Sequence, residues 1–168
     1  MGGATALGLA QRHPDRIERA IVADSGCAST PQSAAQWEER IVIAEKDGMA
    51  PLVEPTVTRW FPPDVIAQNP PYLDKVRAMV RNTPVAGFAG CAAALADHDF
   101  RSAVSATRPP VLFIAGEKDA GGAVAAAMKG LHQALPGSRY VELAGAGHIS
   151  NLDDPAGFTD AVSGFLGA

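Results

Sequence analysis

A chain of 168 residues, 47% hydrophobic and 19% charged, is long enough for one globular domain and is neither disordered nor fibrous in composition. Its formal net charge of −4 and pI near 5.5 carry no basic footprint for nucleic acid or an anionic membrane surface, which leaves small neutral or acidic metabolites as partners. No apolar run approaches the roughly 20 residues that span a bilayer and no basic start precedes an apolar core, so a cytoplasmic location is expected.

From Gly2 to Arg12 small and helix-favouring residues predict a buried helix, with Leu7, Leu9 and Ala10 as its apolar positions. Glycines at its start suit a backbone that turns sharply out of a strand. His13-Pro14 ends it, because proline disfavours helical angles in the residue before it, and His13 reads as a surface cap. Arg19 to Ala23 predicts a parallel strand buried on both faces, which puts Asp24 at a strand end.

The α/β rhythm then stops. Residues 29–99 carry only helical patterns broken by prolines and predict an inserted helical cap, leaving 1–28 and 100–168 as the α/β core. Within the insert, Ser33 to Asp47 places Trp37, Ile41 and Ala44 on one buried face and stops at Gly48. Leu52 to Phe61 continues the helical pattern. Tyr72 to Arg81 sets Leu73, Val76 and Val80 on one side, and Phe88 to Leu95 is alanine-rich.

From Val111 the sheet pattern resumes. Val111 to Ala115 and Arg139 to Leu143 predict two more strands, both apolar enough for burial on two faces, joined by a helix from Gly122 to Leu135 in a right-handed crossover. Pro155 to Leu166 predicts a closing amphipathic helix with Phe158, Val162 and Phe165 inward. The fold class expected is α/β, a parallel sheet with flanking helices plus the helical cap.

Two strand ends carry chemistry. Gly116-Glu-Lys-Asp119 follows the first of these later strands with a carboxylate, and Ala144-Gly-Ala-Gly-His148-Ile-Ser-Asn151 follows the second with an imidazole among small residues. An acid before a histidine is the chain order of a hydrolase triad whose nucleophile lies upstream. Met1-Gly2-Gly3 reads as the second half of a Gly-x-Ser-x-Gly elbow, cut just after the serine. Ser25 has small neighbours, but Ala-Ser-Thr-Pro follows it where the elbow requires a helix, so it is rejected as nucleophile. Cys27 and Cys91 lack metal spacing and are expected to pack as reduced thiols; no metal or organic cofactor is expected.

Met1-Gly2-Gly3, Arg12-His-Pro-Asp-Arg-Ile17, Arg59-Trp-Phe61, Gly116-Glu-Lys-Asp119 and Gly147-His-Ile-Ser-Asn151 together give a chain that resembles the C-terminal part of an α/β-hydrolase, most closely the 3-oxoadipate enol-lactone hydrolases. The resemblance implies a serine hydrolase of a lactone or other carboxylic ester. It implies His148 as general base, Asp119 as its orienting acid with Asp24 the rival, and the Met1 amide as an oxyanion-hole donor. Trp60 and Phe61 are candidates for an apolar substrate pocket, and Arg59, Arg77 and Arg81 for carboxylate anchors; His98 and His132 read as structural. Asp119-Ala-Gly-Gly122 departs from the proline- and threonine-containing stretch usual at this place. It also implies that Met1 is internal to a longer reading frame encoding Gly-x-Ser before it, the full domain needing about 90 more residues to reach roughly 250. The competing expectation is a non-catalytic remnant or binding module.

Overall fold

The computed structural model describes residues 1–119 and 125–167, which divide into two units. The first comprises Met1–Cys27, Trp60–Pro62 and Phe100–Ala168; the second comprises Ala28–Arg59 and Pro63–Asp99.

The first unit is built on three parallel strands, β1 (Ala20–Ala23), β2 (Val111–Gly116) and β3 (Arg139–Leu143), in the order β1-β2-β3. Helix α1 (Gly2–Arg12) precedes β1 and stops at His13, which is exposed as expected. Every residue of β2 is buried, and alternation divides them between two cores. Val111, Phe113 and Ala115 pack with Leu7 and Ala10 of α1, Val22 of β1, and Met128 and Leu131 of α7 (Ala125–Ala134). Leu112 and Ile114 pack on the other face with Leu143, Ala146 and Phe165, the last from α9 (Pro155–Leu166), while Phe158 and Val162 of that helix are only partly buried. A central parallel strand flanked by helices on both faces must be apolar throughout, and β2 is.

The neighbouring strands correct the expectation of burial on both faces. In β1 Ile21 and Ala23 are half-buried. In β3 Arg139 and Glu142 are exposed and Leu143 alone is buried, because β2 pairs with one side of it and water is left to the rest. Arg139 covers part of that exposure by laying its guanidinium over the Phe165 ring, 5.8 Å from the centroid, while donating to Gly164 C=O at 3.0 Å. On α1, Leu9 is 43% exposed rather than buried. The helix expected from Gly122 is seen from Ala125, and residues 120–124 lie outside the described residues.

The second unit is helical: α2 (Pro31–Asp47), α3 (Val53–Trp60, whose last residue belongs to the first unit), α4 (Pro63–Gln68), α5 (Pro71–Asn82) and α6 (Val85–Asp97). Helix α2 starts earlier than the apolar pattern suggests, because Ser33 is not its first residue but the third position of a capping box. Thr30 Oγ1 accepts from Ser33 N–H at 3.1 Å and Ser33 Oγ accepts from Thr30 N–H at 2.8 Å, with Pro31 at the first helical position. Ala44 is the buried residue of α2, whereas Trp37 and Ile41 are only half covered. Arg40 stacks over the Trp37 ring at 4.9 Å. Leu73, Val76 and Val80 of α5 are buried as their spacing predicts. Cys27 is half-buried beside the first core, while Cys91 is exposed on α6 and does not pack as expected.

Truncating Phe113, fully buried at the centre of β2, is expected to cost about 3–5 kcal/mol, whereas Leu9→Ala should change stability by less than about 1 kcal/mol. Urea unfolding midpoints of the two variants check the contrast; equal losses would contradict the core described here.

Candidate active site

Asp119 and His148 are brought together by main-chain contact between two strand ends. Past β2, Glu117 N–H donates to Leu143 C=O at 3.0 Å and Lys118 N–H to Ala146 C=O at 2.8 Å. The Glu117 carboxylate also accepts from Gly145 N–H at 2.8 Å. This lacing leaves no room for a side chain at Gly116, whose Cβ would overlap the carbonyl oxygens of Ala146 and Gly147.

His148 is then fixed from three directions. Its N–H donates to Trp60 C=O at 2.8 Å, its ring stacks on the Trp60 indole with centroids 6.0 Å apart, and its Nδ1 lies 3.0 Å from Asp119 Oδ2. The residue before it is held too, Gly147 N–H donating to Asp153 Oδ2 at 2.7 Å from α8 (Ser150–Asp153). The Asp119 side chain is fully buried and the His148 side chain 21% exposed. An acceptor oxygen on Nδ1 selects the tautomer with the proton there and leaves Nε2 with its lone pair. Among the described residues no hydrogen bond engages Nε2.

Asp24, the rival acid, lies one residue past β1 and is 6% exposed. Its carboxylate does not take the imidazole: Oδ1 accepts from Gly116 N–H at 2.7 Å and Oδ2 from Ser150 O–H at 2.5 Å. Burial raises its pKa above the ordinary 3.8; the two hydrogen bonds pull the other way, the nearby Asp119 charge adds to the rise, and His148 opposes it.

The remaining candidates separate. Met1 is the N-cap residue of α1, 45% exposed, and its carbonyl accepts from Thr5 N–H at 2.9 Å. Ser25 is buried with its Oγ on Gly26 C=O at 3.2 Å, and no helix follows until Pro31, so no elbow is formed there. Phe61 is 3% exposed and packs as core, whereas Trp60 is half-buried against His148. Arg59 donates to Gln36 Oε1 at 3.3 Å. Arg77 is engaged by Glu54 at 2.9 Å, Asn69 at 2.9 Å and Asp74 at 3.1 Å; Arg81 is exposed on α5. His98 Nδ1 meets Leu95 C=O at 2.8 Å, and His132 Nδ1 meets Ser138 Oγ at 2.8 Å, both local contacts. Among the described residues no three His, Cys, Asp or Glu side chains converge as metal ligands, and no helix is long and apolar enough to cross a membrane. Sequence reasoning missed Ser150 and Asp153. Their signal was present in Ser150-Asn-Leu-Asp153, a mostly polar stretch that starts two residues after the histidine.

The family model described as "Alpha/beta hydrolase family" matches residues 1–161. The chain belongs to the α/β-hydrolase family. Among curated relatives this α/β-hydrolase is 31% identical over 166 residues to 3-oxoadipate enol-lactonase 2 of Acinetobacter baylyi, covering 99% of the chain and 61% of the relative. The enol-lactonase of Burkholderia xenovorans superposes with a TM-score of 0.93 at 36% identity, covering 100% of this chain and 63% of that one. A hydrolase of Pseudomonas aeruginosa gives 0.92 at 35% identity, over 99% and 62%. The α/β-hydrolase chain thus spans about 61% of the length of the two Acinetobacter baylyi enol-lactonases it matches.

Two outcomes are expected. Gly116→Ala should lower stability by about 1–3 kcal/mol or more, since main chain rather than a flexible side chain opposes the methyl. For Asp24 the folded pKa lies above the unfolded one, so its contribution is fully present below the unfolded value and is lost as pH rises through the folded value. As pH rises from the ordinary carboxylate range through the raised folded pKa, the parent chain should therefore lose stability relative to Asp24→Asn; urea midpoints of the two that track in parallel as pH rises would contradict the raised pKa.

Proposed function

We propose that the protein containing this chain is a serine hydrolase of a carboxylic ester or lactone, similar in substrate class to the 3-oxoadipate enol-lactonases. The observation that carries the reading is the 3.0 Å contact of buried Asp119 with His148 Nδ1, with Nε2 unengaged among the described residues and available for proton transfer. The nucleophile is assigned to a serine immediately ahead of Met1 in a longer reading frame, where α1 supplies the helix that a nucleophile elbow needs. Residues 29–99 are assigned the role of substrate-selecting cap.

In this reading His148 Nε2 takes the serine proton as Oγ attacks the carbonyl carbon. The oxyanion that forms is met by the amide of Met1, acting as the peptide N–H after the nucleophile. Collapse breaks the bond to the leaving oxygen, which receives the proton from His148; in a lactone that oxygen stays tethered to the acyl group. Water then gives a proton to His148 as it attacks the acyl carbon; collapse breaks the bond to serine Oγ, which takes that proton back from His148, and the acid is released. Asp119 keeps Nδ1 protonated throughout and stabilises the imidazolium formed in both steps. Trp60, lying on the imidazole, makes one wall beside the reacting atoms.

Hydrolysis of p-nitrophenyl acetate and of an enol-lactone tests it. The longer reading frame should turn over both, with His148→Ala lowering kcat by about 10⁴-fold or more. Undiminished turnover in that variant would defeat the reading. The 168-residue chain alone should give background rates only; His148-dependent turnover by it would place the nucleophile within the chain and defeat the upstream assignment.

A further inference from the structure

Asp24 has a role that neither a triad acid nor a surface aspartate would have. Its backbone is left-handed, with φ of 46°, a conformation that costs energy in a residue carrying a Cβ and that aspartate tolerates better than most. The Asp24 N–H still extends the sheet ladder to Ile114 C=O at 2.9 Å. The main chain then turns away, and a side-chain oxygen takes the next amide of β2, that of Gly116. The second oxygen takes the hydroxyl of Ser150, which is fully buried. Gly116 is three residues before Asp119, and Ser150 is two after His148. One buried carboxylate thus holds both loops of the pair, at Gly116 just ahead of the main-chain lacing and at Ser150 beyond His148.

We propose that Asp24 is a positioning residue that sets the Asp119–His148 hydrogen bond by clamping Gly116 and Ser150. The proposal rests on the reading of that pair as base and orienting acid. Removing the carboxylate leaves a buried N–H and a buried O–H without their acceptor, and both loops must shift to satisfy them. An amide at this position keeps the clamp, since its oxygen still accepts from Gly116 and its NH₂ can donate to Ser150 Oγ.

The test reads the imidazole rather than activity. In the full chain with ¹⁵N-labelled histidine, two-bond ¹H–¹⁵N correlations report which ring nitrogen of His148 holds the proton, with His148→Gln identifying the signals. The unsubstituted chain should hold it on Nδ1. Asp24→Ala should move the tautomer ratio toward Nε2–H by roughly tenfold, Ser150→Ala should move it in the same direction, and Asp24→Asn should restore the parent ratio. A merely stabilising residue would lower the melting temperature without altering the tautomer of the folded molecules. Unchanged ratios in Asp24→Ala and Ser150→Ala overturn the proposal while leaving the base-and-acid reading intact, and Ser150→Ala decides alone if Asp24→Ala does not fold. A proton on Nε2 in the unsubstituted chain overturns both.

Discussion

The turn after β2 and the loop after β3 meet main chain to main chain, and that meeting brings Asp119 and His148 into the same neighbourhood. Glu117 and Lys118 donate their amides across the gap to Leu143 and Ala146. Hydrogen bonds between backbones permit only a small range of separations, far less than long side chains would. The contact requires that residue 116 have no side chain, and the sequence supplies glycine there. A buried carboxylate and a mostly buried imidazole can then meet without either being carried on a flexible stem, which is the preorganisation that acid–base chemistry needs.

Parallel strands put all their carboxyl ends on one edge of the sheet, and each of the three strands ends in a group that matters. Asp24 follows β1, Gly116 to Asp119 closes β2, and His148 follows β3. This is the edge at which open α/β sheets place their ligands, because there the loops diverge and leave a crevice. The two cores on either side of β2 pack the sheet beneath that edge.

Much of this was legible because the signals were local. The apolar run Val111–Ala115 admits no half-exposed strand, and a histidine among small residues after a strand reads as a loop that lets the ring reach out. The spacing of Leu73, Val76 and Val80 settled the buried side of α5 in the same way. What local pattern could not reveal was pairing across the chain. The edge position of β3 depends on which strand lies beside it, so Arg139 to Leu143 was expected to be buried on both faces although Arg139 and Glu142 are exposed. Asp24 and Ser150 are 126 residues apart, and neither announces the other. Arg77 looked available as an anion ligand because its partner Glu54 lies on a different helix.

The two buried carboxylates near the histidine differ in what they can respond to. The hydrogen-bonded donors of Asp24 are an amide and a hydroxyl, which carry no charge. Asp119 is bonded to the ring itself, so any positive charge gained at Nε2 is delocalised onto an atom 3.0 Å from its oxygen. At such a separation in a poorly solvated site the attraction is several times that in water, and it grows in step with proton transfer. Asp24 sees the same charge only from beyond its own donors. The two therefore differ in what they touch, Asp119 meeting the ring and Asp24 meeting Gly116 and Ser150, although both are aspartates at strand ends, both are buried and either could have been chosen from the sequence as the acid.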